Sequence, residues 1–289
     1  MNSNIAFRLR LKPIATRLFI KSSVRQYSTP QAPLILSETI PSPHCGHIKI
    51  LHLNRHDAKN AISRALLSQL KYELDSMKCK PTETRALIIA SAVDGTFCAG
   101  ADLKERRTFT FDDTRKFLTD LRATLVQIAS LPIPTISAID GYALGGGLEL
   151  ALSTTFRVIS STARVGLPET RLGIIPGAGG TFRLPALVGA QKARELILTG
   201  RRIYGDEAHQ IGLADVLCEK QPVEESIRLA SDILQGGPIA VVEALRAVNG
   251  WQTGGVTENE AYEIVLGTQD RVEALNAFKE KRPPTFKGQ

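Results

Sequence analysis

The sequence has few cysteines and no long apolar run. Its cysteines, Cys45, Cys79, Cys98 and Cys218, lie far apart and include no CxxC pair. That spacing indicates neither a zinc site nor a disulfide framework and is typical of a protein from a reducing compartment. No stretch of about 18 consecutive apolar residues occurs, so we expect no transmembrane helix and no membrane partner.

Acidic residues are absent from the first thirty positions. Six basic residues stand there among apolar, serine and threonine residues: Arg8, Arg10, Lys12, Arg17, Lys21 and Arg25. An acid-free, arginine-rich amphipathic leader is typical of a mitochondrial presequence. The run Arg25-Gln26-Tyr27-Ser28 resembles a matrix-protease site. We therefore predict a presequence over residues 1–27 and a location in the mitochondrial matrix; the alternative is a disordered basic tail.

The net charge of +7 belongs mainly to this leader, because removing its six charges leaves about +1 for the rest of the chain. A nearly neutral body argues against a nucleic-acid platform. The body has the length and composition of an ordinary globular protein with one large domain or two small ones.

Short apolar runs alternate with amphipathic helical patterns as far as about residue 160. A proline-rich segment, residues 28–43, is predicted to be a linker ahead of them. Strands are predicted over residues 46–53, 85–91, 135–139 and 156–159, and helices over residues 60–77 and 111–129. This alternation predicts an α/β fold with parallel strand pairing. Beyond Gly180 the pattern is helical, over residues 190–199, 206–211, 222–234, 238–249 and 257–281, with a short strand near Val216.

Two glycine-bearing turns each follow a predicted strand and precede a helix: residues 97–105 (FCAGADLKE) and 141–150 (GYALGGGLEL). Glycine lets the backbone approach a ligand closely, and a helix N-terminus offers unpaired N–H groups to negative charge. Two such turns side by side can direct two N–H groups at one oxygen, as an oxyanion hole does. Their spacing fits neither a dinucleotide-binding GxGxxG motif nor a P-loop. Alternatively, the glycines serve tight packing of helix on strand.

Two glutamates stand in unusual surroundings. Glu149 lies within an apolar helical segment, and Glu169 precedes a third glycine-bearing segment, residues 173–180. Burying a carboxylate is costly unless it is paired or functional. Two carboxylates near one site shift each other's pKa, and such a pair can act as acid and base on one water. The alternative is two separate structural carboxylates, each in a salt bridge or a helix cap.

Together with these residues, four ordered motifs resemble the enoyl-CoA hydratase/isomerase (crotonase) family from about Ile35 to Gln289. The motifs are FCAGADLKER, IDGYALGGGLELAL, VGLPETRLGIIPGAGGT and DRVEALNAFKEKRPP. The detail of FCAGADLKER, LPIPTISAIDG and FKEKRPPTFKG is most similar to the methylglutaconyl-CoA hydratase (AU-binding homologue) branch of that family.

The resemblance implies an α/β crotonase fold. A spiral of ββα units is expected over residues 44–225, followed over residues 226–289 by a helical C-terminal trimerisation region that packs between subunits. The implied assembly is a homotrimer or a hexamer. The resemblance implies an acyl-CoA substrate, no metal, and no cofactor, since coenzyme A is part of the substrate.

The resemblance also implies a role for particular residues. The N–H groups of Ala101 and Gly146 would hold the thioester carbonyl, Glu149 would activate water, and Glu169 would exchange a proton with the α-carbon. Residues expected along the acyl and CoA path are Ala101, Asp102, Leu103, Lys104, Gly177, Phe278 and Lys281. The implied activity is hydration of a 2-enoyl-CoA in mitochondrial fatty-acid or leucine catabolism, with 3-methylglutaconyl-CoA as a candidate substrate. The presence of both glutamates favours a hydratase over an isomerase.

The chain departs from the common pattern at two places. Ser153-Thr154-Thr155 stands where relatives commonly have ACD, and Thr181-Phe182-Arg183 stands where TQR is usual. Neither change touches the proposed chemistry. The terminal carboxylate of a glutaconyl substrate would need a cation, which Lys104, Arg106 or Arg107 could supply; alternatively, these three form a solvated helix face.

Functions of other classes have weaker support. RNA binding would use a helix over residues 59–85, where Glu73, Asp75 and Glu83 offset its basic residues, Arg64, Lys71, Lys78 and Lys80. A catalytically silent assembly subunit would not need the paired glutamates. The histidines His44, His47, His52 and His56 lack regular ligand spacing, so exposed histidines are favoured over a metal site. Cys98 has no predicted base beside it and is interpreted as a packing residue.

Overall fold

The computed structural model describes residues 32–78 and 83–289; the presequence predicted over residues 1–27 lies outside them. Ten strands occur in the described ranges: β1 (Ile35–Pro41), β2 (His47–Leu53), β3 (Thr84–Ser91), β4 (Thr96–Cys98), β5 (Thr135–Ile139), β6 (Tyr142–Leu144), β7 (Phe156–Ser160), β8 (Arg164–Gly166), β9 (Ile203–Tyr204) and β10 (Val216–Cys218). One sheet has the order β1-β2-β3-β5-β7-β10, and a second has the order β4-β6-β8-β9.

Ten α-helices also occur in the part of the chain that the structure describes. They are α1 (Arg64–Lys78), α2 (Leu103–Arg106), α3 (Phe111–Ala129), α4 (Gly146–Ala151), α5 (Gly180–Thr199), α6 (Gly205–Gln210), α7 (Pro222–Ile233), α8 (Pro238–Asn249), α9 (Gly255–Leu266) and α10 (Gln269–Glu280). Short 3-10 helices cover His56–Ala58, Glu169–Leu172 and Trp251–Thr253. No described helix has the length and apolar character needed to cross a membrane.

The central strands β3 and β5 of the larger sheet are buried on both faces, as their sequences predict. β3 and β5 consist almost entirely of buried residues, because parallel strands carry apolar side chains on both sides. β2, β3, β5, β7 and β10 run parallel, and β1 adds an antiparallel edge. One face packs in a large cluster that includes Leu87 and Leu125, and the other in a smaller cluster that includes Ile88 and Ala230.

The chain alternates between the two sheets. β3 leads to β4, β5 to β6 and β7 to β8, so that each of these three strands of the larger sheet is followed by a strand of the smaller sheet. Helices α2 and α3, then α4, then α5 follow these pairs. The predicted spiral of ββα units is confirmed. It sets the turns after β4 and β6 next to each other, because β4 and β6 pair in parallel.

Three boundaries differ from the sequence predictions. Residues 28–43 are not simply a linker, because β1 pairs antiparallel with β2 over its whole length. The boundary predicted between residues 225 and 226 falls within α7, whose Ala230 belongs to the core cluster on the sheet. The single helix predicted over residues 257–281 is two helices, α9 and α10, with Thr268 capping the second.

Candidate active site

The turn after β4 presents the backbone N–H of Ala101. Ile62 pairs with Ala101 in a parallel bridge: the Ile62 N–H donates to the Gly100 carbonyl at 2.7 Å, and the Asp102 N–H donates to the Ile62 carbonyl at 3.1 Å. In a parallel bridge the neighbours of the opposed residue make the hydrogen bonds, so its own N–H points away. The Ala101 N–H is therefore free of the bridge to Ile62.

The turn after β6 brings a second N–H beside the first. Gly146 begins α4, so its N–H has no acceptor within the helix. A β-carbon on Gly146 would lie 3.6 Å from the Ala101 nitrogen. At Gly100, φ is +99° and a β-carbon would lie 2.6 Å from the Leu144 carbonyl oxygen, so this position requires glycine. The two turns thus approach backbone to backbone.

A buried ion pair braces the first turn. Asp102 caps α2 by accepting hydrogen bonds from the N–H groups of Lys104 and Glu105. Its other carboxylate oxygen lies 2.7 Å from Nη1 of Arg55. Burial acts to raise the pKa of Asp102, but these hydrogen bonds and the Arg55 charge outweigh it and lower the pKa. Asp102 therefore fixes the turn as an ionised group.

Glu149 projects from the first turn of α4 and is 3% exposed. Its Oε1 accepts hydrogen bonds from the N–H groups of Ala178 at 2.7 Å and Gly180 at 2.9 Å. Burial raises the pKa of Glu149, and the two N–H donors and the charges of Arg183 and Arg122 oppose that rise. The donors hold one carboxylate oxygen and leave the other for a ligand.

Glu169 begins the 3-10 helix after β8 and is 8% exposed. Burial raises its pKa to about 7, and the charge of Glu149 contributes in the same direction. Its Oε2 is buried and has no hydrogen-bond partner among the described residues. A β-carbon on Gly145 would lie 3.0 Å from Oε1. Because the charge of Glu149 acts on Glu169, the two carboxyls are close enough to interact. The unpartnered Oε2 of Glu169 is available to a ligand.

A cavity of about 1050 Å³ joins these groups. Ala101, Gly146, Glu149 and Glu169 all line it. Apolar side chains of α3, among them Phe117 and Leu121, line it as well. A largely apolar cavity of this size with a few convergent polar groups is typical of a ligand site.

The structure brings some of the predicted substrate residues to this cavity and not others. Leu103 and Gly177 line it, whereas Asp102 and Lys104 do not. Phe278 and Lys281, at the C-terminal end of α10, do not line it either, and Phe278 is 86% exposed. Of the three cations suggested for a substrate carboxylate, Arg106 lines the cavity and Lys104 and Arg107 do not.

Four further arginines line the cavity and were missed in the sequence: Arg122, Arg171, Arg183 and Arg202. Arg122 and Arg183 donate hydrogen bonds to the carbonyl oxygens of Gly177 and Ala178. On α3, Arg122 stands in an amphipathic pattern that predicts a solvent-facing side chain. Arg183 appeared in the sequence analysis only as part of Thr181-Phe182-Arg183, at the place where TQR is usual, and no contact of its side chain was predicted.

The remaining candidates have local partners. The Cys98 thiol donates to the Asn60 carbonyl oxygen at 3.1 Å, and burial raises its pKa to about 12. His44, His47, His52 and His56 contact four different partners. Over residues 32–78 and 83–289, no group of three or more His, Cys, Asp or Glu side chains is arranged to hold a metal ion.

Ser153 and Thr154 satisfy backbone carbonyls at the C-terminal end of α4. Their hydroxyls donate to the carbonyls of Leu150 at 2.6 Å and Ala151 at 2.8 Å. These carbonyls lie in the last turn, where helix carbonyls need partners from outside the helix. The departure from the common ACD sequence therefore keeps the helix end satisfied.

The helix suggested for RNA binding is shorter than predicted. Among the described residues α1 spans Arg64–Lys78, and Arg85 is buried in β3. On α1, Lys71 lies 2.6 Å from Asp75, and Arg64 lies 2.9 Å from Asp113 of α3. These charges are partly neutralised within the chain, which further weakens the RNA-binding hypothesis.

Residues 45–289 match the family model described as enoyl-CoA hydratase/isomerase. The fold is similar to that of an enoyl-CoA hydratase from Bacillus anthracis, with a TM-score of 0.84 and 42% identity over 89% of this chain and 100% of that chain. The chain belongs to the enoyl-CoA hydratase/isomerase family of enzymes, and the family implies an acyl-CoA substrate.

Several proteins are similar to this chain over most of its length. An enoyl-CoA isomerase/hydratase of Zymoseptoria tritici is 54% identical over 265 residues, which cover 86% of this chain and 87% of that protein. A protein of Pyricularia oryzae named mitochondrial methylglutaconyl-CoA hydratase 1 is 49% identical over 94% of this chain and 92% of its own. The human protein named mitochondrial methylglutaconyl-CoA hydratase is 45% identical over 84% of this chain and 74% of its own.

Proposed function

We propose that this enzyme adds water to a 2-enoyl-CoA thioester, with Glu149 and Glu169 as the catalytic residues. One observation carries the proposal: two buried carboxyls and the adjacent amides of Ala101 and Gly146 line the same cavity. The amides suit a thioester oxygen, and the carboxyls suit a water molecule next to it.

In this mechanism the N–H groups of Ala101 and Gly146 bind the thioester carbonyl. Addition of water at C3 moves negative charge onto that oxygen as an enolate. Fixed donors aimed at a developing charge stabilise the transition state more than the substrate. Losing one such donor typically slows a reaction about 10²–10³-fold.

The glutamates would divide the proton transfers between them. Glu149, held by two N–H donors, takes a proton from water as its oxygen bonds to C3. Glu169, with a pKa near 7, donates a proton to C2. After one turnover the pair holds the same number of protons, so exchange with solvent resets their arrangement. Both groups act from one cavity, which predicts addition of the proton and the hydroxyl to the same face.

The test replaces each glutamate by glutamine and measures hydration of crotonyl-CoA by loss of the conjugated thioester absorbance. We expect either change to lower kcat by about 10²–10⁴-fold, the usual contribution of a positioned acid or base. Glu219→Gln, at an exposed carboxylate, serves as the control. Near wild-type turnover in Glu149→Gln or Glu169→Gln would refute the assignment. Turnover of a 3-enoyl-CoA in place of crotonyl-CoA would favour an isomerase.

We further propose 3-methylglutaconyl-CoA as the preferred substrate, in leucine catabolism. The support comes from the names of relatives at 45–49% identity and from Arg106, a cation on the cavity wall for the terminal carboxylate. Arg106→Met should lower kcat/KM for 3-methylglutaconyl-CoA about tenfold relative to crotonyl-CoA. Its neighbour Arg107, which does not line the cavity, provides the matched control in Arg107→Met. Equal effects of Arg106→Met on both substrates would exclude this role.

A mitochondrial matrix location and an oligomeric assembly complete the proposal. Relatives named mitochondrial and the acid-free leader support import into mitochondria. The run Arg25-Gln26-Tyr27-Ser28 supports cleavage after Tyr27, which N-terminal sequencing of the protein from mitochondria tests. Exposed apolar residues on α9 and α10, including Tyr262 and Phe278, support subunit contacts. Sedimentation of the chain lacking residues 1–27 should give the mass of a trimer or hexamer. In such an assembly Phe278 and Lys281 would reach a neighbour's CoA, so Phe278→Ala should raise KM.

A further inference from the structure

Arg122 and Glu149 hold opposite ends of one peptide group. The Nε–H of Arg122 donates to the carbonyl oxygen of Gly177 at 2.6 Å. The N–H of the same peptide unit, on Ala178, donates to Oε1 of Glu149 at 2.7 Å. Because a peptide group is planar and rigid, fixing its oxygen fixes the direction of its N–H. The guanidinium, the peptide and the carboxylate therefore form a continuous chain of hydrogen bonds.

Helix α3 fixes the position of the Arg122 backbone. Thr110 and Asp113 form a capping box at its N-terminus, and Leu121 and Leu125 bury its inner face in the core. Capping and burial both restrict the motion of a helix. The loop at residues 176–180 belongs to a different part of the chain, so the contact from Arg122 ties this loop to a rigid element.

We propose that Arg122 is a positioning residue that orients the 177–178 peptide and thereby holds Glu149 ready to activate water. The inference rests on the proposed role of Glu149 as the group that activates water. Charge-assisted hydrogen bonds in series polarise one another. Arg122 thus strengthens the Ala178 donor as well as aiming it.

A second arginine acts on the adjacent peptide unit. Nη1 of Arg183, on α5, donates to the Ala178 carbonyl oxygen at 2.9 Å. Arg183 is partly buried, so replacing it would disturb packing as well as the loop. Arg122 is exposed, and its replacement leaves the core intact. Arg122 is therefore the residue to test.

Three charged groups on neighbouring elements act on the ionisation of Glu149. Arg183 on α5 and Arg122 on α3 favour its ionised form, and Glu169 after β8 opposes a second negative charge. On β4, the Cys98 thiol has a pKa of about 12 and stays neutral. Removing the Arg122 charge should therefore raise the pKa of Glu149, so that Glu149 becomes protonated at a higher pH.

The experiment compares Arg122→Met, Arg122→Lys and the control Arg115→Met in the full chain, using crotonyl-CoA. Arg115 lies two turns earlier on α3, is exposed and does not line the cavity. Removing an outer partner of a reactive group costs about 10–100-fold at metal sites; for Arg122→Met we expect kcat to fall about tenfold and KM to change less than about twofold. The acid limb of the kcat profile should move to higher pH in Arg122→Met and return toward the wild-type position in Arg122→Lys.

Two results would overturn the inference. One is wild-type kcat and an unmoved acid limb in Arg122→Met. The other is equal loss of kcat in Arg122→Met and Arg122→Lys with unchanged pH profiles, which indicates a purely structural contact. If Glu149→Gln keeps full activity, the proposed function itself fails. If Glu149→Gln is inactive and Arg122→Met behaves as wild type, only the positioning role is lost.

Discussion

Arg55 contacts both Asp102 and Ala61: its Nη1 lies 2.7 Å from Oδ2 of Asp102 and donates to the Ala61 carbonyl at 2.8 Å. Asp102 also caps α2, immediately after Ala101. This ion pair connects the segment before α1 to the turn that presents the Ala101 N–H.

Asp102→Ala should lower the free energy of unfolding by about 3 kcal/mol, because it leaves the Arg55 charge without its partner and removes a helix cap. Urea denaturation measures this change. Asp57→Ala is the control, since Asp57 is 80% exposed and lies 3.8 Å from the same guanidinium; it should cost less than about 0.5 kcal/mol. Equal effects of the two changes would argue against the bracing role of Asp102.

Glu169 should destabilise the fold at neutral pH. Its folded pKa of about 7 exceeds the ordinary value of 4.5, so the unfolded chain loses this proton first as pH rises. Stability therefore falls from about pH 4.5 to about pH 7. Glu169→Gln should stabilise the protein by roughly 1–3 kcal/mol above pH 7 and have little effect near pH 4.5. Thermal unfolding at the two pH values tests this; a stabilisation independent of pH would contradict the cause given.

Hydration should depend on pH through the carboxyl pair. The active form holds one proton, on Glu169, and loses it as pH rises through about 7. We therefore expect kcat/KM for crotonyl-CoA to decline on the basic side near that pH and, at low pH, to decline again as Glu149 is protonated. The two limbs belong to the coupled pair. A constant kcat/KM from about pH 6 to about pH 9 would be inconsistent with Glu169 as the acid.

Gly147 should tolerate no side chain. A β-carbon there would lie 2.2 Å from the Cys98 carbonyl oxygen, which is backbone and cannot move aside without shifting β4. Gly147→Ala should cost about 3 kcal/mol or more and separate the two active-site turns. The comparison is Gly255→Ala at the start of α9, where the nearest atom would be 3.9 Å away. If Gly147→Ala folds with wild-type stability, the turns do not pack as described.

Helices and strands with a clear pattern of apolar residues could be predicted with nearly the right bounds. The amphipathic pattern of residues 111–129 and the apolar run of residues 135–139 correspond to α3 and β5. The strands β4, β6, β8 and β9 have only two or three residues, too few to show alternation, and together they form the smaller sheet. β1 was predicted as a linker because an edge strand with one buried residue, Ile35, has no apolar face to recognise.

The two glutamates could be singled out because a carboxyl among apolar residues is unusual wherever the chain folds. Four of the arginines that line the cavity could not be identified from the sequence. Arg122 belongs to a polar helix face in the sequence, and its contact with Gly177 spans 55 residues. Lys104 was expected along the substrate path because the family motif places residues 101–104 there, but on α2 it does not line the cavity. The direction in which a side chain projects from a short helix depends on the residue that caps it, which is Asp102 here. Asp102 is held by Arg55, which is distant from it in the sequence.

The buried thiol beside the active-site turns has a consequence for chemical stability. Thiolates, rather than thiols, react with alkylating agents and peroxides, and Cys98 is fully buried with a pKa of about 12. Iodoacetamide or hydrogen peroxide should therefore leave this position unmodified in the folded enzyme. Under oxidative stress in the cell, Cys98 should therefore stay unmodified as long as the protein remains folded.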